Sequence, residues 1–172
     1  HQTSWEAMYK SLCFTLREEF VRHRELLESD ALNEYDRRFF QNITEDKAEI
    51  TDYQYALGKL SAMLTTCYQS KTIIIIDEYD TPIQHLHHYY DEVIGFMRNL
   101  LSSALKDNEN LEFGILTGIL RIAKESLFSG LNNLVVNTIL DDKYAEYFGF
   151  TGQEAAQMAA YYGVPEKLGQ IR

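Results

Sequence analysis

The chain has 172 residues, with 26 Asp and Glu against 16 Lys and Arg, for a formal charge of -10. A composition that is 45% hydrophobic and 13% aromatic supplies enough apolar area for a folded core, which excludes a disordered segment and a fibrous repeat. The acidic balance argues against direct nucleic-acid binding, since non-specific affinity for phosphates comes from clustered Lys and Arg.

No apolar run reaches the roughly 18 residues needed to cross a bilayer, and the N-terminal residues lack the zones of a signal peptide. The expectation is a cytoplasmic protein without a membrane partner. Cys13 and Cys67 both fall in helix-like apolar patterns, which suits buried thiols better than a disulfide framework. Arg17, Arg22, Arg24, Arg37 and Arg38 are interleaved with Glu18, Glu19, Glu25, Glu28, Glu34 and Asp36, a mixture of signs that predicts a solvated helix face.

Taken in chain order, Thr3-Ser4-Trp5-Glu6 offers a capping-box start to a helix. Trp5, Met8, Leu12, Leu16 and Phe20 then recur at helical spacing, predicting one long amphipathic helix to about Leu27. A short helix is expected over residues 33–40. Another follows a cap at Thr51-Asp52-Tyr53-Gln54, with Tyr53, Leu57, Leu60, Met63, Leu64 and Cys67 on one face. The period changes at residues 71–76, where four consecutive isoleucines predict a strand buried on both faces, as in parallel sheets. A helix carrying Val93, Phe96, Met97, Leu100, Leu101, Ala104 and Leu105, then a strand over residues 111–117, complete a strand, helix, strand unit. Residues 134–140 suggest a third strand, residues 144–148 a helix, and Thr151-Gly152-Gln153-Glu154 the start of a last helix that Gly163 and Pro165 end. One domain over residues 1–172 is expected, helical to residue 70, α/β from 71 to 140 and helical again from 141.

The segment richest in chemistry is Ile73-Ile74-Ile75-Ile76-Asp77-Glu78-Tyr79-Asp80. Carboxylates here follow the carboxyl end of a strand, the edge at which open α/β sheets bind ligands. An Asp in that place can hold Mg²⁺ directly or through water, and the next Glu can accept a proton from an attacking water. The pattern is a Walker B arrangement in its Asp-Glu form; acidic turn residues that simply stop a hydrophobic strand would look the same. The second strand ends in Leu116-Thr117-Gly118-Ile119-Leu120-Arg121. Thr117 could orient a water or touch a terminal phosphate, and the guanidinium of Arg121 could neutralise phosphate charge; a strand-ending threonine and a solvated arginine are the plainer alternative. His85, His87 and His88 could join Asp80 around a metal, but their irregular spacing fits exposed loop residues better. Ser126, Ser129, Gly130, Asn132 and Asn133 are turn-forming by composition.

In these residues the chain resembles the AAA-ATPase-like family, P-loop NTPase modules often fused to a C-terminal restriction-like nuclease domain. The resemblance is carried by residues 75–83, 89–94, 116–122, 124–134 and 142–150, in that order. It implies a parallel sheet flanked by helices, with ATP and Mg²⁺ as ligands of intact relatives and hydrolysis coupled to an effector domain. By position it implies Asp77 as the magnesium-side carboxylate, Glu78 as the hydrolytic base, Thr117 as a sensor-like and cofactor-binding group, and Arg121 as a phosphate contact.

One departure is plain. No G-x-x-x-x-G-K-[ST] occurs, and the first glycine is Gly58, inside a helical pattern. A Walker A loop supplies the backbone N–H row, the lysine and the magnesium hydroxyl that hold a triphosphate. The expectation is therefore a domain lacking the P-loop strand and helix, with an exposed sheet edge beside residues 111–117, a tendency to self-associate, and no ATP hydrolysis by this chain alone. Two alternatives remain open: a non-catalytic protein interaction module, or a magnesium-dependent nuclease or phosphohydrolase that uses Asp77, Glu78 and Asp80 directly.

Overall fold

The computed structural model describes residues 4–84, 89–106, 108–119, 127–128, 131, 134–138, 140–147 and 149–170. It divides into two units, residues 1–132 and residues 133–172.

In the first unit, three helices precede the sheet. Helix α1 (Trp5–Arg22) starts where the Ser4 side chain accepts from the Ala7 N–H, and it buries Cys13, Leu16 and Phe20. The expected run to Leu27 is shorter than foreseen. The chain leaves α-geometry at His23 and continues as a 3-10 turn, Arg24–Glu28, which turns Leu26 into the core. Helix α2 (Glu34–Thr44) is capped by Asn33 and buries Phe39, Phe40 and Ile43, with the Phe20 and Phe40 rings 5.1 Å apart. Helix α3 (Ile50–Tyr68) takes Glu49 as its cap, two residues before the one foreseen at Thr51, and the Asp52 carboxylate reaches back to accept from the Glu49 N–H at 2.9 Å. It stops at Gln69, which adopts the left-handed conformation and donates its N–H to Thr65 O.

Arg37 departs from the expected solvated face. It is half-buried, and its guanidinium donates to the carbonyls of Leu27, Ser29 and Leu32, supplying donors where the chain between α1 and α2 has no helical partners.

Strands β1 (Thr72–Ile76) and β2 (Leu111–Leu116) form a parallel pair joined through helix α4 (Tyr90–Leu105). The register sets Ile73 opposite Phe113 and Ile75 opposite Ile115. Helix α4 buries Val93, Ile94, Phe96, Met97, Leu100, Leu101 and Ala104, mostly the residues whose spacing predicted it. At the start of the sheet the Ser61 and Thr72 hydroxyls bond each other, while Asn110 O accepts from both the Thr72 N–H and its hydroxyl.

The expectation that β1 is buried on both faces is corrected. Ile73 and Ile75 are 61% and 66% exposed, and Phe113 beside them is 59% exposed. The strand alternates, with Ile74 and Ile76 half-buried. A two-stranded sheet offers little width, and among the described residues the helices cover one side of it. On that side Gly114 faces Leu105, whose Cδ2 would stand 2.8 Å from a Cβ placed there. Among the described residues β2 pairs with β1 alone, and no described strand covers its other edge.

The second unit holds a 3-10 segment, Asp142–Tyr147, helix α5 (Gly152–Tyr161) and a 3-10 turn, Pro165–Gln170. Thr151 and Glu154 form the predicted capping box, and Gly163 takes a positive φ of 68° beyond the helix end. The third strand proposed for residues 134–140 is not formed at the described positions. The Thr138 N–H and hydroxyl both donate to the Asp141 carboxylate, a local turn that takes up the groups a strand ladder would need.

Candidate active site at the carboxyl ends of the strands

Beyond the last ladder pair, Ile76 with Leu116, the two chains stay joined. The Thr117 N–H donates to Ile76 O and the Tyr79 N–H to Thr117 O, both at 3.0 Å. This main-chain link brings two side chains from residues 40 apart in sequence into contact: the Thr117 hydroxyl donates to Asp77 Oδ1. The Glu78 N–H donates to that same Oδ1 at 3.0 Å and to Thr117 Oγ1 at 3.3 Å. Asp77, Glu78 and Thr117 are all exposed. Both bonds to Asp77 fall on Oδ1, and the residue as a whole is exposed.

Glu78 holds a positive φ of 51°, a conformation that costs a residue with a Cβ about 1–2 kcal/mol. Its carboxylate is steadied by the Thr81 hydroxyl, which donates to Oε2 at 3.2 Å. Sequence reasoning missed Thr81; the signal was a hydroxyl three residues beyond the acid, the spacing of a turn.

Asp80 behaves differently from its neighbours. It is fully buried, and its Oδ2 accepts from the Ile119 N–H at 3.1 Å and from Gln84 Nε2 at 3.2 Å. Its backbone oxygen accepts from the Ile83 and Gln84 N–H groups. The carboxylate is thus turned inward while Asp77 and Glu78 face solvent, and the three acids do not converge. Among the described residues no group of three His, Cys, Asp or Glu side chains could hold a metal ion. A single carboxylate nevertheless suits Mg²⁺, which keeps several waters and is usually bound through one or two carboxylates plus substrate phosphates.

Arg121 and the three histidines His85, His87 and His88 lie outside the described residues. So do Ser126, Ser129, Gly130, Asn132 and Asn133. Both cysteines are free thiols, Cys13 buried and Cys67 half-buried; burial pushes the Cys13 thiol up. Among the described residues no helix is long and apolar enough to cross a membrane.

A separate cleft of about 550 Å³ lies in the helical region between α1 and the start of α3, lined in part by Tyr9, Lys10, Arg17, Asp46 and Tyr53. The Tyr53 hydroxyl donates to Asp46 there, and burial pushes both the Tyr9 and Tyr53 phenols upward.

Comparison with known proteins places these features. The chain is 33% identical over 97 residues to an Azotobacter chroococcum mcd 1 protein described as "Uncharacterized protein in vnfD 5'region", a match covering 55% of this chain and 19% of that relative. The chain thus spans about a fifth of the relative's length. No solved structure matches. The model of the family described as "Predicted AAA-ATPase" matches residues 1–128, about three quarters of the chain and all of α1 to β2. The segments at residues 129–134 and 142–150 lie beyond that match. The chain belongs to the AAA-ATPase-like family.

Proposed function

We propose that residues 71–121 form the acid and sensor part of a P-loop-type ATPase site. The observation that carries the reading is the hydrogen bond from Thr117 to Asp77 at the carboxyl ends of two parallel strands, with Glu78 alongside. Asp77 would hold Mg²⁺ through its exposed carboxylate, by way of water. Bound there, the ion would neutralise charge on phosphate oxygens. Glu78 is the base that accepts a proton from the attacking water, and Thr81 fixes the orientation of its carboxylate. Thr117 is the sensor-like group, its hydroxyl held toward the site by Asp77. Arg121, close after Thr117 in sequence, is the phosphate contact.

The sequence contains no glycine-rich lysine loop, so these residues supply charge and proton transfer without a cradle for the triphosphate. Tight ATP binding therefore needs that loop from elsewhere, and the coupled effector belongs to the longer proteins of the family. Manganese, a paramagnetic stand-in for magnesium, tests the reading. NMR line broadening centred on residues 77, 78 and 117, and lost in Asp77→Asn, is the expected result. Broadening spread over the acidic surface and unchanged in that variant would overturn it. Calorimetry with ATP and Mg²⁺ should show weak binding at most. A second reading, a non-catalytic module that contacts another protein, draws on the uncovered apolar side chains Ile73, Ile75 and Phe113; it expects no site-centred broadening.

A further inference from the structure

The geometry points to Asp80 as the positioning residue of this site: a buried clamp that locks the β1 exit onto the β2 exit and so holds Thr117 on Asp77. The inference rests on the reading of Asp77 and Thr117 as the working pair. Asp80 touches neither of them through its side chain, and it acts through the backbone.

Three observations support it. First, a fully buried carboxylate is costly unless well bonded, and Asp80 spends its bonds across the two loops. Oδ2 accepts from Ile119 N–H on the β2 side and from Gln84 on the β1 side. Second, Gly118 leaves the space the clamp needs. A Cβ at that position would stand 2.6 Å from Asp80 Oδ1 and 2.7 Å from the Tyr79 ring, so any side chain there would push Asp80 away from Ile119. Third, the clamp brackets the functional contact. Asp77 and Glu78 precede Asp80, Thr117 precedes Ile119, and the Tyr79 N–H to Thr117 O bond lies between. Charge-assisted bonds to a carboxylate are among the stronger kinds, and the one from Ile119 bridges residues 39 apart in sequence.

Amide hydrogen exchange on the intact chain, without metal or nucleotide, tests this directly. Asp80→Leu removes both acceptors at similar volume. Gly118→Ala leaves the charge but displaces it. Asp80→Asn keeps an acceptor for Ile119. The expected result is exchange at least tenfold faster at Tyr79, Thr117 and Ile119 in the first two variants and intermediate in Asp80→Asn. The Thr72 amide, bonded to Asn110 O at the other end of the sheet, should keep its wild-type rate. Wild-type rates at residues 79, 117 and 119 in Gly118→Ala would overturn the proposal, as would a loss of protection equal at Thr72 and Thr117, which marks a merely structural residue. If Asp80→Leu fails to fold, Gly118→Ala and Asp80→Asn decide. A manganese titration separates the two ideas: no broadening near Asp77 in the wild type would sink the magnesium reading, while the exchange pattern still judges the clamp.

Discussion

Gly58→Ala sets local propensity against tertiary packing at one position. Gly58 sits within α3, where the exchange of glycine for alanine should gain about 1 kcal/mol of helix stability. The structure reverses the sign. A Cβ at Gly58 would lie 2.5 Å from the backbone oxygen of Ser103 on α4 and 3.2 Å from its carbonyl carbon, where ordinary contact starts at 3.4 Å. The two helices must separate by nearly 1 Å, and because the obstacle is main chain, no rotamer change relieves it. The shift also strains the bond from the Ser103 hydroxyl to Gln54 O at 2.9 Å, which contributes about 1 kcal/mol. Overpacking of this kind costs about 1–3 kcal/mol, so the net expectation is a loss of about 1–3 kcal/mol. Urea unfolding followed by the fluorescence of Trp5, the single tryptophan, reads it, since Trp5 packs edge-on against Phe96 of α4. A Gly58→Ala midpoint at or above the wild type would refute the reasoning. Rescue by Ser103→Gly would too, because the clash is with the carbonyl rather than the side chain.

Three further outcomes are expected. Glu78→Gly should be about 1 kcal/mol more stable than Glu78→Ala, since only glycine takes the positive φ of 51° without strain; equal urea midpoints would show that the turn relaxes. Arg37→Met should lose about 2 kcal/mol by stranding the Leu27, Ser29 and Leu32 carbonyls, and Arg37→Lys should recover only part, lacking the planar fork; a Lys variant equal to wild type would contradict it. In the second unit, backbone and hydroxyl bonds from Thr151 hold the Glu154 carboxyl below the usual carboxylate range. A lowered folded value means that its support for α5 is present above the ordinary glutamate range and fades as pH falls through the folded value. Thr151 and Gly152 amide shifts should follow that acid transition, and Glu154→Gln should remove it; a transition that persists in the variant would assign it elsewhere.

What the sequence by itself determined were the local features. Helical spacing located α3 and α4. The β-branched run located β1, and the box Thr151 to Glu154 located the start of α5, because caps and periodicity act over a few residues. It also put acids at the end of a strand and Thr117 at the end of the next. Only the tertiary structure decided where those acids lie and what they bond. Asp77 and Asp80 are three residues apart and chemically identical, yet one faces solvent against Thr117 and the other is buried against Ile119. That difference comes from the parallel register of β1 and β2 and from the space left at Gly118, both long-range. The same holds for the bare side of the sheet. Four isoleucines read as a strand covered twice, but coverage depends on how many strands and helices assemble around it, and no period within a single segment encodes that number.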